Sequence, residues 1–147
     1  MLPRVNILSS AFMMMLVVFA CATKHSETAN QNEEWPEMDD FHMAMAEAFH
    51  PLKDSGNTEP AKKLIGQLTS DVDRWASSSI PDKVNNDEMK SKLAKLKLDI
   101  HALAEVIRDG ATDDQISTAM HILHDQFHDI METWHGSDSE HEHSDKH

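Results

Sequence analysis

The chain has 147 residues, 13 Lys and Arg against 26 Asp and Glu, and a formal charge of −13 with its 11 histidines neutral. That length suits one compact domain, and the acidic excess repels nucleic acid and anionic lipid while favouring cations. With no Tyr, four Gly and few β-branched runs there is little material for a sheet, and a single Cys excludes a disulfide within the chain.

Met1–Ala20 has the layout of a secretory signal, with Arg4 followed by the apolar run Ala11–Ala20, which is too short to span a bilayer comfortably. Met13, Met14 and Met15 belong to this run and carry no site. Val18-Phe19-Ala20-Cys21 is a loose lipobox with a bulky Phe19, and Ala20-Cys21-Ala22 also satisfies ordinary small-x-small cleavage. The only cysteine stands where a lipoprotein carries its acyl group, so lipidation of Cys21 is favoured. Removing the first twenty residues leaves 12 basic and 26 acidic residues, a formal −14. The expected address is the envelope of a Gram-negative bacterium, periplasmic or as an outer-membrane lipoprotein. The membrane is then touched through the lipid alone. Residues 21–34 are polar and aperiodic and read as a flexible tether.

The spacing predicts a first helix from Pro36, suited to an opening turn, to His50, with Pro51 as its stop. Met38, Phe41, Met45, Ala48, Phe49 and Leu52 share its apolar face; His42 lies at the edge of that face and His50 further round. Leu52–Thr58, with Gly56 and Asn57, reads as a turn. A second helix opens with Thr58 as cap and Pro60 in its first turn, carries Leu64, Ile65, Leu68, Val72, Trp75 and Ala76 at core spacing, and fades at Ser77–Ser79. The loop Ile80–Asn85 follows.

The third helix starts at the capping residue Asn86, with Asp87 and Glu88 favourable at its positive end, and stops at Gly110. Its apolar stripe is Met89, Leu93, Leu96, Ile100, Leu103 and Ile107. His101 is off that stripe and reads as a surface residue. The fourth helix opens at Thr112 with Gln115 three residues on, a capping-box spacing, and closes at Gly136. The tail 137–147 has no apolar residue, carries His141, His143 and His147 among acids, and is expected to be disordered. Four amphipathic helices with short or moderate loops predict an all-α, antiparallel up-down-up-down bundle over residues 35–136.

The helix Ile116–His135 carries the chemistry. Ile116, Met120, Leu123, Phe127, Ile130, Met131 and Trp134 form its apolar face, and His121, His124, His128 and His135 a second stripe along the flank. Two histidines four residues apart, such as His124 and His128, can hold one ion together, and neutral imidazole suits Zn, Cu, Ni and Fe. In an up-down-up-down bundle the first and last helices are antiparallel neighbours, which sets His50 beside His121 and His124, and His42 nearer His128. His42 and His50 are about 12 Å apart in rise, so one ion cannot take both. Two sites are expected: His42 with His128 and His124, and His50 with His121 or His124. Zn or Cu are the ions expected there. Met38, Met43 and Met45 add thioethers suited to Cu(I), and Glu47, Asp125, Asp129 and Glu132 are available as further ligands or as acceptors for ring N–H groups.

The bland alternative is that the same spacing marks a solvated polar flank beside core-filling Met residues. Tail histidines support weak binding at most. No nucleophilic triad or Gly-rich phosphate loop is present, and His124-Asp125-x-x-His128 has Asp where a metalloprotease helix needs Glu, so no enzyme is expected.

Three short motifs carry a family resemblance over about Trp35–Gly136. They are Met38 in Pro36-Glu37-Met38-Asp39-Asp40-Phe41, the start Asp87-Glu88-Met89-Lys90, and the late pair Phe127-His128. In these the chain resembles the four-helix periplasmic cytochromes, the cytochrome c-prime group and its soluble b-type relatives. The resemblance implies the four-helix fold and, from the b-type members, an electron-transfer haem b held between Met38 and His128. Covalent haem is excluded by the absence of Cys-x-x-Cys-His. Three functions follow as expectations: transition-metal binding for buffering, sensing or delivery; haem b electron transfer; or a non-catalytic structural or interaction bundle.

Overall fold

A computed structural model describes the backbone from Glu34 to His141 and the side chains as far as Gly136. The described chain is an all-α four-helix bundle: α1 (Pro36–Ser55), α2 (Glu59–Ser77), α3 (Asp87–Arg108) and α4 (Asp113–His141), with a 3₁₀ turn at Asp82–Val84 between α2 and α3. Each helix packs on its predecessor, and α1 also meets α4, closing the ring. Among the described residues no helix is long and apolar enough to cross a membrane. The expected leader, Cys21 and the tether up to residue 33 lie outside the described residues.

Pro36 occupies the first turn of α1, and the Trp35 carbonyl accepts from the N–H groups of Met38 and Asp39 at 2.9 and 3.2 Å. Pro51 does not stop this helix, contrary to the sequence expectation. It stands one turn from the end, its missing N–H costs a single bond, and the helix ends instead at left-handed Gly56 (φ 71°). There the Gly56 and Asn57 N–H groups reach the carbonyls of Leu52 and Pro51. Only a residue tolerant of positive φ turns the chain at that point.

Thr58 precedes α2 but does not cap it with its side chain. Its buried hydroxyl donates to Asp113 Oδ1 at 2.5 Å, tying the start of α2 to the start of α4, while Asn57 Oδ1 accepts from the Glu59 N–H at 3.1 Å. Asn86 caps α3 as its sequence predicts, accepting from the Met89 N–H at 2.8 Å. The α4 capping box is also formed: the Gln115 N–H reaches Thr112 Oγ1 at 3.3 Å and the Thr112 N–H reaches Gln115 Oε1 at 2.9 Å. At its other end α4 runs through Gly136 to His141, five residues past the expected stop. A glycine in mid-helix costs only about 1 kcal/mol, and it ends a helix only where the chain turns left-handed.

The core is one cluster drawn from all four helices and centred on aromatic rings. Trp35 meets Trp75 edge-on at 5.3 Å and Trp134 at 5.6 Å between ring centroids; Phe41 meets Trp75 at 5.4 Å and Phe127 at 5.6 Å. Lys83 from the 3₁₀ turn places its ammonium 3.2 Å above the Trp134 ring. The pairings Trp35–Trp134, Phe41–Phe127 and Phe49–His124 step along α1 in one direction and α4 in the other. This antiparallel register is the one that hydrophobic spacing and short loops dictate.

Candidate metal centre

Phe49 and the histidines of α4 form the seam between α1 and α4. Phe49 is buried because it shares the apolar stripe of α1 with Met38, Met45 and Leu52. Its ring stacks on His124 with centroids 3.9 Å apart and planes 17° from parallel, and it meets the edge of His121 at 5.0 Å. One turn further along α4, the His128 ring centroid is 4.3 Å from that of His124. The Nε2 atoms of His124 and His128 lie 3.1 Å apart. With both rings neutral, one Nε2 donates to the other, and which ring donates follows from the tautomers.

Position on the helix sets the environment of each ring. His124 and His128 are half-buried, whereas His121, His135, His42 and His50 are exposed. Burial is the main reason that His124 titrates below the ordinary histidine range, followed by the charge of His128 and that of Lys53, with Asp125 acting in the opposite sense. Its Nδ1 is 3.8 Å from an oxygen of Asp125. His124 is therefore neutral at neutral pH, the form that binds metal. His121 Nδ1 lies 2.8 Å from the Ser117 carbonyl oxygen, which can only accept. Nδ1 therefore carries a proton and donates to that carbonyl.

The sequence-predicted residues divide sharply. His124 and His128 come together as their spacing requires. His42 packs at 5.0 Å on Phe127, one residue from His128, so the predicted level across the seam is right. It does not join His124 and His128 in a three-residue ligand group, and His50 is exposed on α1. Among the described residues no three His, Cys, Asp or Glu side chains are gathered to hold a metal ion. Met38 and Met45 are core residues, and Met43 is 72% exposed on the far side of its helix. Asp129 turns towards α3, where Lys92 donates to it at 3.1 Å. Glu47 and Glu132 are exposed.

Two features escaped the sequence reading. Phe49 is the platform for the pair, and its signal was present: it sits seven residues after His42, on the same side of α1. His101, expected as a simple surface residue, places Nε2 2.9 Å from Asp73 Oδ1, and Lys97 approaches the same oxygen at 3.0 Å. These two bonds hold the Asp73 carboxyl below its usual range and tie α2 to α3.

Haem between Met38 and His128 does not fit this packing. Met38 is buried one turn after Trp35 and one turn before Phe41, in the same core cluster as the chain of ring contacts that links Trp134, Trp35, Trp75, Phe41 and Phe127. A macrocycle between these residues would have to displace part of that cluster.

No family model, curated protein or solved structure matches the chain. The cytochrome resemblance therefore rests on its three short motifs alone.

Proposed function

We propose that this chain is a cell-envelope protein that binds a transition metal ion of the Zn, Cu and Ni class through His124 and His128. Lipid at Cys21 would anchor it. The observation that carries this reading is the 3.1 Å separation of the two Nε2 atoms. Two imidazole nitrogens on one tetrahedral Zn stand about 3.3 Å apart, as follows from Zn–N bonds of about 2.0–2.1 Å. An ion replacing the shared proton therefore needs only a small opening of the pair. Phe49 stacked on His124 restricts one ring before any ion arrives, lowering the ordering cost of binding.

Two ligands leave coordination positions open. An ion held in this way exchanges readily with other ligands, which suits buffering or delivery better than a permanent structural metal. Calorimetric titration with Zn(II) and Cu(II), using protein in which His141, His143 and His147 are replaced by alanine, tests the reading. Micromolar or tighter binding lost in H124A and H128A is expected. Binding that is weaker, or that survives both substitutions, overturns it.

A second reading has its own observation. The His124–His128 hydrogen bond over Phe49 is already a satisfied half-buried contact, which a purely structural or interaction bundle would use without metal. In that case the double variant H124A/H128A loses stability, and added metal changes neither the melting temperature nor the metal content of the wild-type protein.

A further inference from the structure

We propose that the outer face of α3 and α4 docks an amphipathic helix of a partner protein, one whose apolar stripe is bordered by Lys or Arg. The inference is independent of the metal-binding reading. Beyond its core stripe, α3 carries Leu98, Ala102 and Val106 at four-residue steps, a spacing that aligns them along one side of the helix. All three are exposed, Leu98 at 68% and Val106 at 45%. On α4, Ile122 is 51% exposed and lines a shallow hollow with Asp114, Gln115, Thr118 and Ala119.

Bonds between the two helices set these rows side by side. Gln126 Nε2 donates to Asp99 Oδ2 at 2.7 Å, and Lys92 reaches Asp129 at 3.1 Å and Thr133 at 3.0 Å, an antiparallel register. Continued by one turn, that register brings Ile122 level with Ala102; by a second, it brings Ala119 level with Val106. An apolar strip thus crosses from α3 to α4 on the side away from the core. Single exposed hydrophobic side chains are ordinary, whereas an aligned set beside a hollow, rimmed by charge, marks a protein-binding face. A helix lying in such a strip meets it with residues at i, i+3, i+4 and i+7.

Charge selects the occupant. Glu105 and Asp109 border the strip on α3, where both pair with Arg108, and Asp114 and Asp125 border it on α4; all four carboxylates are exposed. Four carboxylates against one guanidinium leave an acidic rim, and Lys95 at the end of the strip is neutralised by Asp99. Such a rim complements ammonium or guanidinium groups flanking the stripe of the incoming helix. A second copy of this chain, at a formal −13, is repelled by the same field.

The test titrates the isotope-labelled full chain with a synthetic amphipathic helix of Leu and Lys, its Leu at i, i+3, i+4 and i+7, and follows backbone amide shifts by NMR. A peptide with Glu in place of every Lys is the control. The expected result is shifts confined to residues 98–109 and 114–125, with affinity that falls as salt is added. Affinity should drop by about tenfold or more for the Glu peptide, in V106D/I122D and in E105Q/D109N/D114N. Circular dichroism checks that both variants keep their helicity, and the second leaves every apolar residue in place. No shift with the Lys peptide, shifts elsewhere on the bundle, or equal binding of the two peptides overturns the proposal. Shifts that depend on protein concentration without peptide also overturn it, because the face then joins copies of this chain.

Discussion

Phe49 and His124 lie face to face across the seam between the first and last helices, 3.9 Å apart and 17° from parallel. The buried aromatic ring restrains one member of the histidine pair, and the pair in turn covers Phe49 from solvent. Stability and metal binding should therefore respond together to changes at position 49. Replacing Phe49, which is 3% exposed, by alanine should cost about 3–5 kcal/mol through lost burial and the cavity left behind. F49L keeps most of the volume and should cost clearly less. Both variants lose the stacked ring, so both should weaken Zn(II) affinity. Urea unfolding separates the two stabilities, and calorimetry reads the shared loss of affinity.

Metal should stabilise the fold in proportion to occupancy. At free Zn(II) a hundredfold above Kd, a ligand that binds only the folded chain adds about 2.7 kcal/mol. Differential scanning calorimetry should show a higher melting temperature with Zn(II), reversed by chelator and absent in H128A. An unchanged melting temperature at saturating Zn(II) contradicts a site in the folded bundle.

Acid should weaken the metal-free domain in a window set by His124. The groups facing that ring are His128, Asp125 and Lys53, and the net effect with burial is a lowered folded pKa. Between that folded value and the ordinary value of about 6.5, the unfolded chain binds more protons, so stability rises with pH. The contribution is fully present above about pH 7 and is lost as the pH falls through the histidine range towards the folded pKa. The salt-bridged carboxyls Asp73 and Asp99 have lowered pKa values and act only in more acidic solution, below the ordinary carboxyl range. Chemical denaturation at intervals from pH 8 to 5 should show a slope that is flatter in H124F. An equal slope in the variant would assign the effect to another group.

Helix ends supply a separate stability test. Asn86→Ala removes the bond from the Met89 N–H and should cost about 1 kcal/mol. Thr58→Val should also lower the denaturation midpoint, because it strands the tie to Asp113 rather than a helix cap. A double-mutant cycle with Asp113→Asn should show coupling between α2 and α4. Additive effects would mean that the tie contributes nothing to stability.

Haem added to the apoprotein should give no Soret band assignable to Met38 and His128 ligation. The rings of Trp35, Phe41, Trp75, Phe127 and Trp134 occupy the space that a macrocycle needs. A six-coordinate spectrum lost in both M38A and H128A would refute this packing argument.

The sequence by itself determined the four helices, the capping bonds of Asn86 and of Thr112 with Gln115, and the antiparallel run of the first helix against the last. Each follows from local spacing or from a side chain reaching its own backbone. Three boundaries did not. Pro51 forbids one hydrogen bond but not one more helical turn, Gly136 permits a left-handed end without requiring it, and the Thr58 hydroxyl chose a carboxylate 55 residues away over its own helix. The site divides along the same line. Four-residue spacing on α4 alone was enough to bring His124 and His128 within 3.1 Å. Whether His42 and His50 join them depends on how far α1 is rotated about its own axis, and only the packing of Phe41, Met45 and Phe49 into the shared core decides that rotation. It sets His42 against Phe127 and leaves His50 exposed, so the pair on α4 stands without a ligand from α1.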